Sequence, residues 1–337
     1  MKLKSPKEWE GYIKSRGLEP ELEKTLSAYA SNLSSKNLPV IFELEHLSNI
    51  LDIEHDEMRV MVNGSDWFYR EFEIPKRRGG VRVIKVPYSS LMHAQYWLKE
   101  AILDKEFIHS KAHGFANGKS IKSHVECHCH SLHILKLDIK DFFPTFKKSW
   151  VANYFNQLGY APNVAFYLAN LTTDTVSLVQ GAPTSPVLSN ILFRKADRAL
   201  NKIAVKYELS YSRYADDMCF SGNYIPKKLL RLVERILRYF GFQLNSRKTY
   251  LGPVNGCHIT GIKVVDGQLK VSRKLKRELR KQIHFIGKYG LLSHVNKKRI
   301  RDVFFVERLM GQLNFWKFIE PEHEFPIEAL SLLRQKL

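Results

Sequence analysis

Two adjacent carboxylates, Asp216 and Asp217, stand in the middle of a largely apolar stretch, LSYSRYADDMCFSG, residues 209–222. An Asp-Asp pair is ordinarily part of a solvated turn. Tyr-Ala before this pair and Met-Cys-Phe after it predict instead a strand, a tight turn and a second strand, with the acids at the tip of a buried hairpin. Buried carboxylates need a compensating partner. A second apolar run, SLHILKLDI at 131–139, reads as a buried strand that also ends on an acid, Asp138. If the two elements pair, Asp138 and Asp216 face each other across the ladder. Carboxylates gathered in one cleft repel, and a divalent cation allows several to stay ionised together. Mg²⁺ on two carboxylates plus substrate phosphates is the usual arrangement for phosphoryl and nucleotidyl transfer.

The overall charge points toward a polyanionic partner. Among 337 residues, Lys and Arg number 53 against 34 Asp and Glu, a formal net charge of +19. Nucleic acid is the first candidate for such an excess, and a basic but otherwise ordinary protein is the plainer alternative. The four cysteines, Cys127, Cys129, Cys219 and Cys257, make no disulfide-like framework, so a reducing compartment is expected. The N-terminal stretch MKLKSPKEWEGYIKSRG lacks the apolar core of a signal peptide. No run approaches the roughly 18 apolar residues a membrane span needs. The expectation is a soluble, cytoplasmic protein without a membrane partner.

Residues 1–57 read as short amphipathic helices, with apolar residues three and four apart in ELEKTLSAYASNL and PVIFELEHLSNIL. YREFEIPKRRGGVRVIKVP, 69–87, alternates on both sides of Arg78-Gly79-Gly80 and reads as a β-hairpin with a basic tip. A helix is expected over 90–108 and helical pattern from the strand at 131–139 to about 171. QGAPTSPVLSNILFRKADRAL turns and then becomes a helix. IPKKLLRLVERILRYFG is an amphipathic helix closed by Gly241. From about 267 the chain turns strongly basic: between Lys270 and Arg301 there are twelve Lys or Arg and one acid, Glu278. A boundary is expected near 266.

These segments resemble the motifs of reverse transcriptases. RYADDMCFSG is similar to their Tyr-x-Asp-Asp box, and LKLDIKDFFPTF to their first catalytic motif, with Asp138 as first metal ligand. QGAPTSPVLSN resembles the Gln-Gly-x-x-x-Ser-Pro box between them, and FEIPKRRGGVRVI the fingers hairpin. NSRKT at 245–249 and HITGI at 258–262 resemble the two later motifs, so six stand in order over about 69–262. Within the family the chain looks most like the bacterial retron type: HGFANGKSI at 113–121 and Thr260-Gly261 resemble retron segments. One departure is the retron Asn-Ala-x-x-His. Here the segment is His124-Val-Glu-Cys-His128, with His128 on the motif's His and no Asn-Ala.

The resemblance implies an α+β, right-hand polymerase fold whose antiparallel palm sheet is backed by helices. It implies an N-terminal helical segment over 1–57, fingers over 58–130, palm over 131–265 and a basic helical thumb over 266–337, with 150–185 adding fingers and palm helices. It implies two Mg²⁺ ions on Asp138, Asp216 and the backbone carbonyl of Ile139, assisted by Asp217. Phe143 becomes the gate that selects deoxynucleotides, against a plain core aromatic. Arg82, with Lys76, Arg77 and Arg78 as weaker candidates, closes on the triphosphate, where a guanidinium suits bidentate contact. Gln180 and Gly181 lie under the base or nucleotide, and Lys248 reaches the phosphates. Arg273, Lys274, Arg277, Arg280 and Lys281 recur at helical spacing and grip duplex backbone without sequence choice; a solvated face is the alternative. The four His and two Cys of HVECHCHSLH are spaced too tightly for a usual zinc site. The chain is expected to be partly extended there, with His128 holding a loop or touching RNA.

The function implied is RNA-directed DNA synthesis from dNTPs on a dedicated structured non-coding RNA. A 2′-OH of that RNA primes it, leaving a joined RNA–DNA product, in an anti-phage defence system with a separate effector protein. No maturase, endonuclease or RNase H segment is expected. A non-retron defence reverse transcriptase and a non-catalytic RNA-binding polymerase fold stay open beside it; intact Asp138, Asp216 and Asp217 speak against the latter.

Overall fold

In the computed structural model, residues 5–75 and 79–336 are described. Helices α1 (Pro6–Lys14), α2 (Pro20–Ser35), α3 (Leu44–Leu51) and α4 (His55–Asn63) precede the hairpin β1 (Tyr69–Pro75) and β2 (Val81–Pro87). Next come α5 (Ser89–Ala101), α6 (Ile121–Glu126), β3 (His133–Asp138), α7 (Phe142–Thr145), α8 (Lys148–Leu158), α9 (Pro162–Thr172) and the long α10 (Ser185–Lys206). Strands β4 (Ser210–Tyr214) and β5 (Asp217–Gly222) are followed by α11 (Leu229–Tyr239), then β6 (Tyr250–Pro253), β7 (His258–Ile259), β8 (Ile262–Val265) and β9 (Gln268–Lys270). The chain closes with α12 (Arg273–Tyr289), α13 (Leu291–Lys298), α14 (Phe305–Ile319) and α15 (Glu324–Lys336).

Two local expectations need correction. The helix over 90–108 stops at Ala101, and a separate 3-10 turn over Leu103–Lys105 buries Leu103. The His/Cys segment is not extended: it opens as α6, nucleated by a reciprocal cap in which Ser120 Oγ accepts from Ser123 N at 3.1 Å and Ser123 Oγ from Ser120 N at 2.9 Å.

The chain divides into two compact units. The first comprises Met1–Asn117, Ile139–Lys202 and Leu230–Leu244; the second comprises Gly118–Asp138, Ile203–Leu229 and Asn245–Leu337. The compositional change near 266 therefore falls inside the second unit.

In the first unit, β1 and β2 pair antiparallel from Tyr69↔Pro87 to Pro75↔Val81. The hairpin is anchored where its outgoing strand meets the loop before α10: Lys85 N donates to Gln180 O at 2.9 Å. Lys85 Nζ also lies 3.3 Å from both Glu71 and Asp174 carboxylates. A Cβ on Gly181, whose φ is +126°, would collide with the Lys85 carbonyl oxygen. Glycine alone allows this approach. Around α7, α8, α10 and the segment after α11, the rings of Phe142, Phe146, Phe193 and Phe242 pack at 4.7 to 6.1 Å between centroids.

In the second unit, strands in the order β4-β5-β3-β6 form an antiparallel sheet, and β7-β8-β9 form another. A continuous apolar cluster takes Ile134 and Cys219 from the first sheet, Ile259 and Ile262 from the second, and Leu279, Ile283, Ile286, Leu313 and Trp316 from the helices. Leu279, Ile283 and Ile286 recur at helical spacing, which sets one face of α12 inward. Buried Glu320 ties this region together, accepting from Val271 N at 2.7 Å and Lys276 Nζ at 2.6 Å.

Replacing Gly181 with Ala is expected to destabilise the protein by about 2 kcal/mol or more, through backbone strain and the clash with Lys85. Gly80→Ala, at positive φ but with open space around it, is expected to cost only about 1 kcal/mol. Denaturant midpoints of the two variants check the difference.

Candidate active site

Strands β3 and β5 run antiparallel with Asp138 directly opposite Asp217. Tyr214 pairs Asp217 across β4–β5, so only Ala215 and Asp216 form the turn. The residue across the ladder from Asp138 is thus Asp217, not Asp216 as expected. The reason is the length of the turn: a two-residue hairpin loop leaves the second acid as the first residue of the strand. Ala215 takes the left-handed conformation, φ +54°, that such turns require and that a Cβ makes unfavourable.

Asp138 is buried at 6% exposure, and Lys248 Nζ sits 2.6 Å from its Oδ2. Lys248 lies at the end of a short 3-10 turn, Ser246–Lys248, held to β3 where Asn245 N donates to Asp138 O at 2.8 Å. Its ammonium neutralises a carboxylate that burial would otherwise leave uncompensated. The carboxyl of Asp217 is pushed up to about 6, first by burial and then by the charges of Asp216 and Asp138; Lys248 and Lys136 offset part of this. Three acids thus share one end of the sheet.

Such a set of hard oxygen donors fits a divalent cation of the Mg²⁺ kind. Among the described residues no three His, Cys, Asp or Glu side chains stand as a ready-made metal cluster.

The other expected residues fall as follows. Ile139 follows Asp138 directly, bridges Leu244 and has a buried side chain. Phe143 is half-buried on α7, its ring 5.4 Å from Phe142 and 6.3 Å from Phe115. Phe142, not Phe143, is the core aromatic. Arg82 is exposed on β2 opposite Ile74. Gln180 and Gly181 make the backbone junction with Lys85 described above. These residues belong to the first unit; Asp138, Asp216, Asp217 and Lys248 belong to the second. Arg78, with Lys76 and Arg77, lies outside the described residues.

On α12, Arg273, Lys274, Arg277, Arg280 and Lys281 are all exposed, opposite the buried Leu279, Ile283 and Ile286. Arg280 is also seated over Trp316 and Phe325, 5.5 Å from each ring. His128 requires a correction. It is 0% exposed, and its Nδ1 and Nε2 lie 2.7 Å from Ser221 Oγ and Ser212 Oγ. It cannot touch RNA from there. Sequence inspection missed these two serines and Arg213, which is also fully buried. The available signal was their polarity inside apolar strands.

The reverse transcriptase (RNA-dependent DNA polymerase) family matches residues 74–264. Over 270 residues the chain is 30% identical to the Retron Ec86 reverse transcriptase of Escherichia coli, covering 78% of this chain and 84% of that one. The chain belongs to the retron reverse transcriptases. It is also 35% identical over 237 residues to the Retron Mx65 reverse transcriptase of Myxococcus xanthus; that match covers 64% of this chain and 55% of the relative. The matched family is that of RNA-dependent DNA polymerases, and the chain combines helices with antiparallel sheets, an α+β design. Among solved structures, a telomerase from Candida albicans resembles it at TM-score 0.40 and 12% identity, covering 79% of this chain and 61% of that one. No helix among the described residues is long and apolar enough to cross a membrane.

The raised carboxyl of Asp217 has a stability consequence. Between the ordinary value of 3.8 and about 6 the folded state binds more protons than the unfolded one. Stability therefore falls as pH rises through that window. Without divalent cation, Asp217→Asn is expected to be more stable than wild type by about 1–2 kcal/mol at pH 7.5, the difference fading below about pH 4. Melting curves across pH test this; equal stability at pH 7.5 would contradict it.

Proposed function

We propose that this chain extends a hydroxyl primer with deoxynucleotides on an RNA template, using the end of the sheet that carries Asp138, Asp216 and Asp217. The observation that carries the reading is the register of Asp138 against Asp217 beside the Asp216 turn, inside the span that matches the family. Asp138, Asp216 and the Ile139 carbonyl hold two Mg²⁺ ions, with Asp217 assisting. When bound, these ions lower the pKa of the attacking hydroxyl and steady the leaving pyrophosphate. Lys248, half-exposed on a flexible stem, passes its charge from Asp138 to a triphosphate oxygen. Arg82 and Arg78 bind triphosphate oxygens. Phe143 stands beneath the sugar and excludes a 2′-OH by its bulk, while Gln180 and Gly181 line the base.

In this reading 58–130 are fingers, 131–265 palm and 266–337 thumb, after an N-terminal helical segment over 1–57. Arg273, Lys274, Arg277, Arg280 and Lys281 follow duplex phosphates, which supply affinity without sequence choice. The template is a dedicated structured non-coding RNA. One of its own 2′-hydroxyls primes synthesis, and an effector protein completes an anti-phage system in the cytoplasm. Relatives named as retron reverse transcriptases support the RNA-directed DNA synthesis in this reading.

Changing Asp216 and Asp217 together to Ala is expected to lower RNA-templated DNA synthesis at least about a thousandfold, with RNA binding retained. Synthesis that persists in the double variant would overturn the proposal. Nucleic acid recovered with the wild-type protein is expected to include DNA joined to RNA through a 2′ linkage; protein-linked DNA in its place would point to a non-retron defence enzyme.

A further inference from the structure

The histidine segment before β3 is built into the hairpin that carries the acids. Along β4, Ser210, Ser212 and Tyr214 lie on one face of the sheet; Tyr211 and Arg213 lie on the other. The register puts Ser212 level with Cys219, and Cys219 level with Lys136. This row is the next one, on the same face, after the row of Tyr214, Asp217 and Asp138, about 7 Å away along the strands.

His128 reaches both strands of the hairpin. Its Nε2 lies 2.7 Å from Ser212 Oγ on β4 and its Nδ1 2.7 Å from Ser221 Oγ on β5. Ser212 Oγ is also 2.7 Å from His124 Nδ1, and Ser221 Oγ 2.9 Å from Ser131 Oγ. His124 Nε2 lies 3.8 Å from Cys219 Sγ, and the His124 ring stands 5.9 Å from that of Tyr214. His124, His128, Ser212 and Ser221 are all 0% exposed.

One set of proton positions satisfies the chain with both imidazoles neutral. Ser131 donates to Ser221, Ser221 to His128, His128 to Ser212, Ser212 to His124, and His124 to the Cys219 sulfur. The reverse direction works equally, so the network couples the two ring tautomers: they switch together. Every link uses one hydrogen, and removing the His128 imidazole leaves two buried hydroxyls, Ser212 and Ser221, without that partner.

From the opposite face, fully buried Arg213 donates through Nη1 to the carbonyl of Ala215 at 3.1 Å. That carbonyl belongs to the residue at φ +54°. The strained turn is thus gripped on one side by a guanidinium and on the other by a histidine that spans its two strands. A two-stranded hairpin has little rigidity of its own, and about 1 Å of misplacement at reacting groups costs up to roughly a hundredfold in rate.

We propose that His128, acting through Ser212 and Ser221 and together with His124, positions the Ala215–Asp216 turn and Asp217 relative to Asp138. His128 is then a positioning residue for the polymerase rather than a contact to RNA. The proposal rests on the carboxylates being the catalytic groups.

The test compares full-length wild type with His128→Leu and His128→Gln in single-nucleotide extension of a DNA primer on a synthetic RNA template. Mg²⁺ and dNTP are titrated separately, and melting temperature and template binding are measured on the same samples. His128→Leu is expected to lower kcat about ten- to a hundredfold and to raise the Mg²⁺ concentration for half-maximal rate. The dNTP KM and template affinity should stay within about twofold. His128→Gln, which keeps a donor and an acceptor, should recover part of kcat. A folded His128→Leu protein with wild-type kcat and Mg²⁺ dependence would overturn the proposal. So would a loss that only tracks the folded fraction and that Gln does not relieve. Should His128→Leu fail to fold, Ser221→Ala carries the same expectations and the same overturning results. An inactive wild type would instead overturn the polymerase reading itself.

Discussion

Pairing of β3 with β5 puts Asp138 level with Asp217, and the two-residue turn sets Asp216 beside them. Like charges at this spacing resist burial, so the sheet end is a point of stored electrostatic cost. Lys248 relieves part of it by its 2.6 Å contact with Asp138. The rest shows as the upward push on the Asp217 carboxyl. Residues that pay in stability at rest and gain when cation and phosphate arrive are what a nucleotidyl-transfer site needs.

Holding that turn takes polar groups in places where apolar ones would pack more simply. Arg213 is fully buried on a face shared with Met218 and Leu137, and His128 is fully buried between two serines. Buried polar groups are tolerated only when their hydrogen bonds are made, and a satisfied network fixes one geometry rather than many. In the first unit a different device serves the hairpin: close contact of Gly181 with Lys85 backbone, made available by the missing side chain.

Much of this was legible from residue order. The hairpin at 69–87, the helix after QGAPTSP, the strand–turn–strand around Asp216 and the amphipathic α12 follow from periodicity and turn residues, which act locally. Three features were not. The pairing of Asp138 with Asp217 rather than Asp216 depends on the number of residues in the turn. The His/Cys segment looked extended because its alternation of polar and apolar residues hid a capped helix. His128 reads as holding a loop or touching RNA because nothing local reveals that serines from two distant strands will meet both its ring nitrogens.

The sequence by itself determined the kind of chemistry and the family: acids at the ends of apolar strands, the ordered motifs over about 69–262 and a charge of +19 are properties of the chain as written. Only the tertiary structure decided which of those groups stand together and what each side chain does. It paired Asp138 with Asp217, gave Lys248 to Asp138, seated Arg280 on Trp316 and turned His128 inward. The physical reason is that composition and period act over a few residues. Register, burial and hydrogen-bond partners are set by segments far apart in the chain, and those alone fix the electrostatics of a site.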